Sequence, residues 1–101
     1  MEELVQLGKV FSDINRVKIL ALIQREKNVC VCEICDTLEL SQPLVSRYLK
    51  QMKEARFVIA TKNGKWILYR LQENHLLSSL LKSIEEEIEA LPQIRVCSKM
   101  N

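Results

Sequence analysis

Apolar residues recur at helical spacing along most of the chain, and they give way to β-rich runs only in its third quarter. A first helix is expected near the start, and Ser12 or Asp13 can cap a second. A third helix is expected from about residue 32 to 40, after a short β-branched segment at 29–31 that indicates a stub of strand. The apolar positions that predict these helices are Leu4, Leu7, Val10 and Phe11; Ile14, Val17, Leu20, Ala21 and Ile23; and Ile34 and Leu38.

A fourth helix is predicted after Ser41, which is a strong N-cap, and Pro43 is tolerated in its first turn. Its apolar side carries Leu44, Val45, Tyr48, Leu49, Met52 and Ala55. Its opposite side carries Gln42, Ser46, Arg47, Lys50 and Lys53. Because only a tight stretch around Leu40 and Ser41 separates the third and fourth helices, the pattern predicts a helix-turn-helix.

The β-rich runs at 57–62 and 65–71 flank Asn63-Gly64, a pair favoured in two-residue hairpin turns in which both central residues need positive φ. A stripe of leucine and isoleucine then predicts one last helix, from about 73 to 90, which Pro92 ends. The expected fold is mainly α with a β-hairpin wing. It is a winged helix-turn-helix domain over residues 1–92, followed by a C-terminal tail over residues 93–101.

The net charge of +2 conceals an uneven distribution. Residues 41–70 carry seven basic side chains and one acidic one, whereas both flanking thirds carry an excess of acid. A basic third of this kind favours a polyanionic partner, and a helix fits the major groove of duplex DNA. The alternative is a solvated surface of uneven charge. The candidate DNA-binding residues are Ser41, Gln42, Ser46, Arg47, Lys50, Lys62 and Lys65.

The fourth helix, with its polar and basic side, is the expected recognition helix. One such helix binds DNA weakly, so a homodimer on two half-sites of double-stranded operator DNA is expected. The first and last helices carry apolar stripes suited to pairing between chains, although both stripes could instead pack within one domain. The chain opens on acidic residues and contains no apolar run long enough to cross a bilayer. We therefore expect a cytoplasmic protein with no membrane partner.

Four cysteines in a reducing compartment favour metal or redox chemistry over a disulfide scaffold. On a continuous helix, Cys32 and Cys35 lie about 60° apart, while Cys30 lies about 160° from Cys32. The three sulfurs can therefore converge only if the backbone at 30–31 is not helical, or ceases to be helical on binding. Thiolates are soft ligands suited to As(III), Sb(III), Cd(II), Pb(II), Zn(II) and Cu(I).

Three sulfurs without an evident fourth ligand favour a trigonal ion such as As(III) over four-coordinate zinc. Cys97 is a further candidate ligand or a tail thiol, and His75, the only histidine, is expected to be structural or at the surface. The three clustered cysteines could also be small residues packed beneath the recognition helix. A thiol redox switch, a zinc-stabilised interaction module and a thiol enzyme are also compatible with four cysteines, although the enzyme would lack a general base near the thiols. We expect no enzymatic activity and no organic cofactor.

Three segments together, residues 29–38, 40–49 and 64–71, resemble the ArsR family of metalloregulatory repressors, and residues 13–20 look like the family's second helix. The resemblance implies a homodimer that represses resistance genes until an inducer, As(III) or Sb(III), binds. It also implies that the ligands are Cys30, Cys32 and Cys35, and that Gln42, Ser46 and Arg47 contact DNA.

This sequence departs from the family pattern in the recognition helix, where Tyr48 occupies a position usually held by histidine. The cadmium and lead sensors of the family add cysteines from an N-terminal arm, and none precedes Cys30 here. The zinc sensors use acidic and histidine ligands along the last helix, which here offers only His75. Both differences favour arsenic over a Cd-, Pb- or Zn-responsive repressor.

Overall fold

A computed structural model describes residues 1–95, and that part of the chain forms helices α1–α6 and strands β1–β3. No helix in this part is long and apolar enough to span a membrane. The elements in chain order are α1 (Glu2–Val10), α2 (Ile14–Glu26), β1 (Val29–Cys30), α3 (Val31–Leu38), α4 (Gln42–Glu54), β2 (Val58–Asn63), β3 (Trp66–Leu71), α5 (His75–Lys82) and α6 (Glu85–Glu89).

Helix α2 is central to the core, and it packs on α3, α6 and β3. Every residue from Ile19 to Ile23 is buried. Its N-terminus is capped by Asp13, whose Oδ1 accepts hydrogen bonds from the backbone N–H groups of Asn15 (2.8 Å) and Arg16 (3.4 Å). Of the two caps that the sequence allows, the structure therefore uses the aspartate.

The three strands form one antiparallel sheet in the order β1-β3-β2. The predicted strand stub is confirmed as β1, and it pairs with β3 so that Cys30 lies opposite Leu68. The cysteine segment and the wing hairpin are consequently parts of the same sheet.

The hairpin is confirmed, but its turn was predicted one residue too early. Asn63 pairs with Trp66, so the two-residue loop is Gly64-Lys65 rather than Asn63-Gly64. Gly64 has φ +62°, and Lys65 is not among the described residues with positive φ. Glycine at the first central position is typical of a type II′ turn, which needs only one positive φ. Asn63 is thereby left free to extend β2.

The last helix, predicted as continuous, is two helices. The Ser83 hydroxyl donates to the carbonyl oxygen of Leu80 (2.5 Å), and Ile84 leaves helical geometry at φ −117°, ψ 29°. Three glutamates, Glu85–Glu87, then occupy the first turn of α6, where the helix dipole favours negative charge. Helix α6 ends at Glu89, before Pro92 is reached.

Candidate nucleic-acid interface and thiol site

Helix α4 separates a buried face from an exposed polar face. Val45, Leu49 and Met52 are fully buried, and the Ser41 hydroxyl accepts a hydrogen bond from the backbone N–H of Leu44 (3.4 Å), which confirms the predicted cap. The candidate DNA-binding residues of this region are all exposed: Ser41, Gln42, Ser46, Arg47 and Lys50. The helix therefore offers to solvent the polar side that the sequence assigns to DNA.

The connection between α3 and α4 is short and sharply bent. Glu39 ends α3 in the left-handed conformation (φ 55°, ψ 48°), and the backbone N–H of Leu40 donates to the carbonyl oxygen of Cys35 (3.1 Å). These features end α3 and change the chain direction, so that Ser41, the N-cap of α4, follows after one residue. Because α3 and α4 also pack on each other, a shift of α3 would be transmitted to α4.

The wing carries its two candidate lysines in different places. Lys62 lies near the end of β2, and Lys65 lies in the loop; both are exposed. Lys65 and Gln42 border the same cleft, so the wing loop adjoins the N-terminal end of α4. The structure thus brings the polar end of the recognition helix and the basic wing together.

The three clustered cysteines surround the start of α3. Cys30 is buried and extended (φ −98°, ψ 166°), and its backbone N–H donates to Glu33 Oε1 (3.1 Å). Cys32 and Cys35 lie on the helix itself, and both are half-buried. The backbone at Cys30 is therefore non-helical, whereas Val31 already belongs to α3, which begins one residue earlier than predicted.

A cleft of about 600 Å³ lies between α3 and the wing, and all three cysteines line it. Its opposite wall is formed by the wing strand β3, including Trp66 and Tyr69. The cysteines therefore face the wing, and α3, which carries Cys32 and Cys35, packs on α4.

Burial raises the pKa of the Cys30 and Cys35 thiols above their ordinary value, and the Asp36 carboxylate adds to this for Cys35. Both are consequently protonated thiols at neutral pH.

Within residues 1–95, no group of three or more histidine, cysteine, aspartate or glutamate side chains is already arranged to hold a metal ion. Cys97, the further candidate ligand, lies outside the described residues. His75 is exposed at the start of α5, which agrees with a surface role.

Sequence reasoning missed two residues that the structure places in the site. It placed Tyr48 on the apolar side of α4 and noted that histidine is usual there, but it assigned no contact to this residue. The Tyr48 hydroxyl donates to Asp13 Oδ2 (2.8 Å), and the ring lies beside Arg47. Sequence reasoning gave no role to Trp66, which lines the cysteine cleft. The replacement of the usual histidine by Tyr48 was a sequence signal for that residue, whereas no pattern in the sequence around Trp66 indicated its position in the cleft.

Comparison with known proteins gives consistent matches. Residues 13–60 match the model of the family described as bacterial regulatory protein, arsR family. The chain is 37% identical over 82 residues to the arsenical resistance operon repressor of Escherichia coli K12, covering 81% of this chain and 69% of that protein. It is 44% identical over 63 residues to the arsenic resistance transcriptional regulator ArsR1 of Pseudomonas putida KT2440. That match covers 62% of this chain and about half (49%) of the relative.

Solved structures resemble most of the described fold. The AntR antimony-specific transcriptional repressor superposes with a TM-score of 0.74 at 25% identity, covering 88% of this chain and 79% of AntR. The homodimeric winged helix-turn-helix DNA-binding domain of Mb0332 from Mycobacterium bovis superposes with a TM-score of 0.71 at 19% identity. That match covers 87% of this chain and 80% of the other, and it establishes likeness of fold alone. The winged helix-turn-helix prediction is thereby confirmed.

Proposed function

Because this chain belongs to the arsR family of bacterial regulatory proteins, which are DNA-binding transcriptional regulators and not enzymes, we propose that it represses transcription until trivalent arsenic or antimony binds its clustered cysteines. The observation that carries this proposal is the position of Cys30, Cys32 and Cys35. They border a cleft between the helix that supports the recognition helix and the strand of the wing.

On the DNA side, α4 lies in the major groove, where Gln42, Ser46 and Arg47 contact base edges and Ser41 and Lys50 hold phosphates. The wing lysines, Lys62 and Lys65, contact the neighbouring backbone. The exposure of all seven side chains supports these roles, because each can reach a duplex without repacking the core. A homodimer places two such recognition helices, each with its wing, on two half-sites.

On the thiol side, the three thiols of the reduced protein displace the three oxygen ligands of arsenous acid. Three As–O and three S–H bonds are replaced by three As–S bonds and three water molecules, so no oxidant or reductant is consumed. Cys30 is already extended, whereas Cys32 and Cys35 sit on the first turns of α3. Gathering the three sulfurs on one ion therefore distorts the start of α3, and the packing of α3 on α4 carries the change to the recognition helix.

The arsenite experiment measures the affinity for a duplex that the wild-type protein has itself selected from a random library. It is done by fluorescence anisotropy in a phosphine reductant, since a dithiol would compete for arsenite. We expect arsenite to weaken wild-type binding by roughly 5- to 150-fold, the usual range of allosteric coupling. Cys32→Ser is expected to abolish the response and Cys97→Ser, the matched control, to keep it.

Several outcomes would contradict the sensing proposal. Unchanged affinity on adding arsenite or antimonyl tartrate would refute it, and a response to cadmium or zinc alone would identify a divalent-metal sensor. Release by the thiol oxidant diamide with no response to arsenite would identify a thiol redox switch. A lost response in Cys97→Ser would contradict a three-sulfur site.

The DNA contacts are tested separately with the same duplex. Arg47→Ala is expected to weaken binding by roughly 5- to 150-fold and to relax the sequence preference at one position, as loss of a bidentate base contact does. Lys65→Ala is expected to weaken all duplexes alike and to reduce the slope of log affinity against log salt by about 1. Lys82→Ala, exposed on α5, is the control, and an equal effect there would refute the assignment of α4 and the wing.

A further inference from the structure

Arg47, the residue assigned to a base contact, is not an independent surface side chain. Its guanidinium carbon lies 5.6 Å from the centre of the Tyr48 ring, within the range of a cation–π contact. Tyr48 is 8% exposed, so the ring is a fixed support while the arginine remains in solvent. An arginine held in this way keeps fewer conformations, and less entropy is lost when it binds a base.

The Tyr48 ring is held from its other end by the N-terminus of α2. Its hydroxyl donates to Asp13 Oδ2 (2.8 Å), while Asp13 Oδ1 caps α2. The guanidinium of Arg16 lies 5.1 Å from the centre of the same ring. The ring is therefore positioned by a charged hydrogen-bond acceptor and a second cation, and not by apolar packing alone.

Arg16 connects this arrangement to the end of α1. Its Nε donates to the carbonyl oxygen of Val10 (3.0 Å) and its Nη2 to that of Lys9 (3.0 Å), while Nη1 donates to Gln51 Oε1 on α4 (3.3 Å). The end of α1, the cap of α2 and the recognition helix thus meet at one aromatic ring.

We propose that Tyr48 is a positioning residue for DNA recognition, which orients Arg47 for its base contact through the ring and is itself aligned by Asp13 and Arg16. This inference rests on the proposed role of Arg47 in reading DNA. It assigns a function to the residue at which this chain departs from the histidine usual in the family. A phenylalanine would fill the same space but would lose the hydrogen bond that sets the direction of the ring.

The test is a double-mutant cycle of Tyr48→Phe and Arg47→Ala, with binding measured on the selected duplex and on a scrambled duplex of equal length. Tyr48→Phe is expected to weaken binding to the selected duplex by roughly 3- to 30-fold. It should leave the scrambled duplex and the salt slope unchanged, since no phosphate contact is lost. In an Arg47→Ala background, Tyr48→Phe should have almost no further effect, because the residue that it orients is absent.

Lys82→Ala, exposed on α5, is the control and should not change the ratio of selected to scrambled affinity. Melting temperatures of all variants check that they fold. If Arg47→Ala weakens specific binding but Tyr48→Phe does not, or if the two effects multiply, Tyr48 does not position Arg47 and only this inference fails. If Arg47→Ala itself leaves specific binding unchanged, the proposed base contact fails and the inference fails with it.

Discussion

At the scale of single residues, Asp13 performs two tasks with its two carboxylate oxygens. One oxygen caps α2 and the other accepts the hydrogen bond of the Tyr48 hydroxyl. The Tyr48 hydrogen bond is the largest cause that lowers the pKa of Asp13, and the backbone N–H groups and the Arg16 charge act in the same direction. The negative form of this carboxyl is therefore favoured in the folded protein.

This arrangement predicts a specific acid sensitivity. Because the folded-state pKa of Asp13 lies below its unfolded value, its contribution to stability is fully present above about pH 4 and is lost as the pH falls through the lowered pKa. Asp13→Asn keeps a side chain that caps equally well but cannot titrate. Its urea midpoint should fall less than that of the wild type between pH 6 and pH 2.5.

Glu89→Gln, an exposed acid in α6, is the control for this measurement and should follow the wild type. Equal acid sensitivity in Asp13→Asn and the wild type would show that Asp13 titrates alike in the folded and unfolded states, against the lowered pKa.

At the scale of elements, a side chain at each end of α2 forms hydrogen bonds with backbone groups at a helix end. Asp13 accepts from N–H groups at the start of α2, and Arg25, near the end of α2, donates to carbonyl oxygens around the end of α6. Arg25 donates to the carbonyl oxygens of Ile88, Leu91 and Pro92, and thereby closes the end of α6 against the central helix. A cation at a helix C-terminus also complements the helix dipole. The short α6 therefore depends on a residue more than sixty positions earlier in the chain.

The wing offers an element-scale prediction with a matched control. Gly64→Ala places a side chain at φ +62° and should destabilise the protein by about 1 kcal/mol. Gly8→Ala lies in α1, where the added Cβ has no described atom within 4 Å other than those of its chain neighbours and of the helix's own backbone, and it should stabilise by about 0.5–1 kcal/mol. Urea unfolding of both variants checks these opposite signs, and a shift of the same sign would contradict the turn geometry.

Sequence patterns predicted those features of the elements that depend on neighbouring residues. The cap of α4 at Ser41, its polar face and the existence of the hairpin follow from residues close together in the chain, and all were predicted. The turn was misplaced by one residue because the pairing of Asn63 with Trp66 depends on the whole ladder between β2 and β3. The break at Ser83 was missed because a leucine and isoleucine stripe continues across it with unchanged spacing.

At the scale of the whole molecule, apolar surface remains exposed on the two helices expected to pair. Leu4 and Val5 on α1 are each 57% exposed, and Leu76 and Leu80 on α5 are each 37% exposed. Contact with a second copy would remove this surface from water, and it would fix the distance between the two recognition helices of the dimer.

We therefore predict that Leu4→Glu and Leu80→Glu shift the protein towards monomer in sedimentation equilibrium and weaken binding to a two-half-site duplex at least tenfold, roughly 1.4 kcal/mol or more. Ile67→Glu, on the exposed face of the wing strand, replaces a similarly exposed apolar residue (48%) and should leave the association state unchanged. A monomeric wild type, or variants that dimerise normally, would contradict pairing through α1 and α5.

The order of elements as far as β3, the face of α4 that meets solvent and the clustering of three cysteines are properties of neighbouring residues, so they could be predicted from the sequence. The pairing of Cys30 with Leu68 in the sheet of the wing, and the hydrogen bond of Tyr48 to Asp13 thirty-five positions away, depend on how distant segments pack. Periodicity tells which side of an element is apolar, but it does not tell which distant segment covers that side. Contacts of that kind arise when the core assembles, and they connect the cysteine cleft and Arg47 to the rest of the molecule.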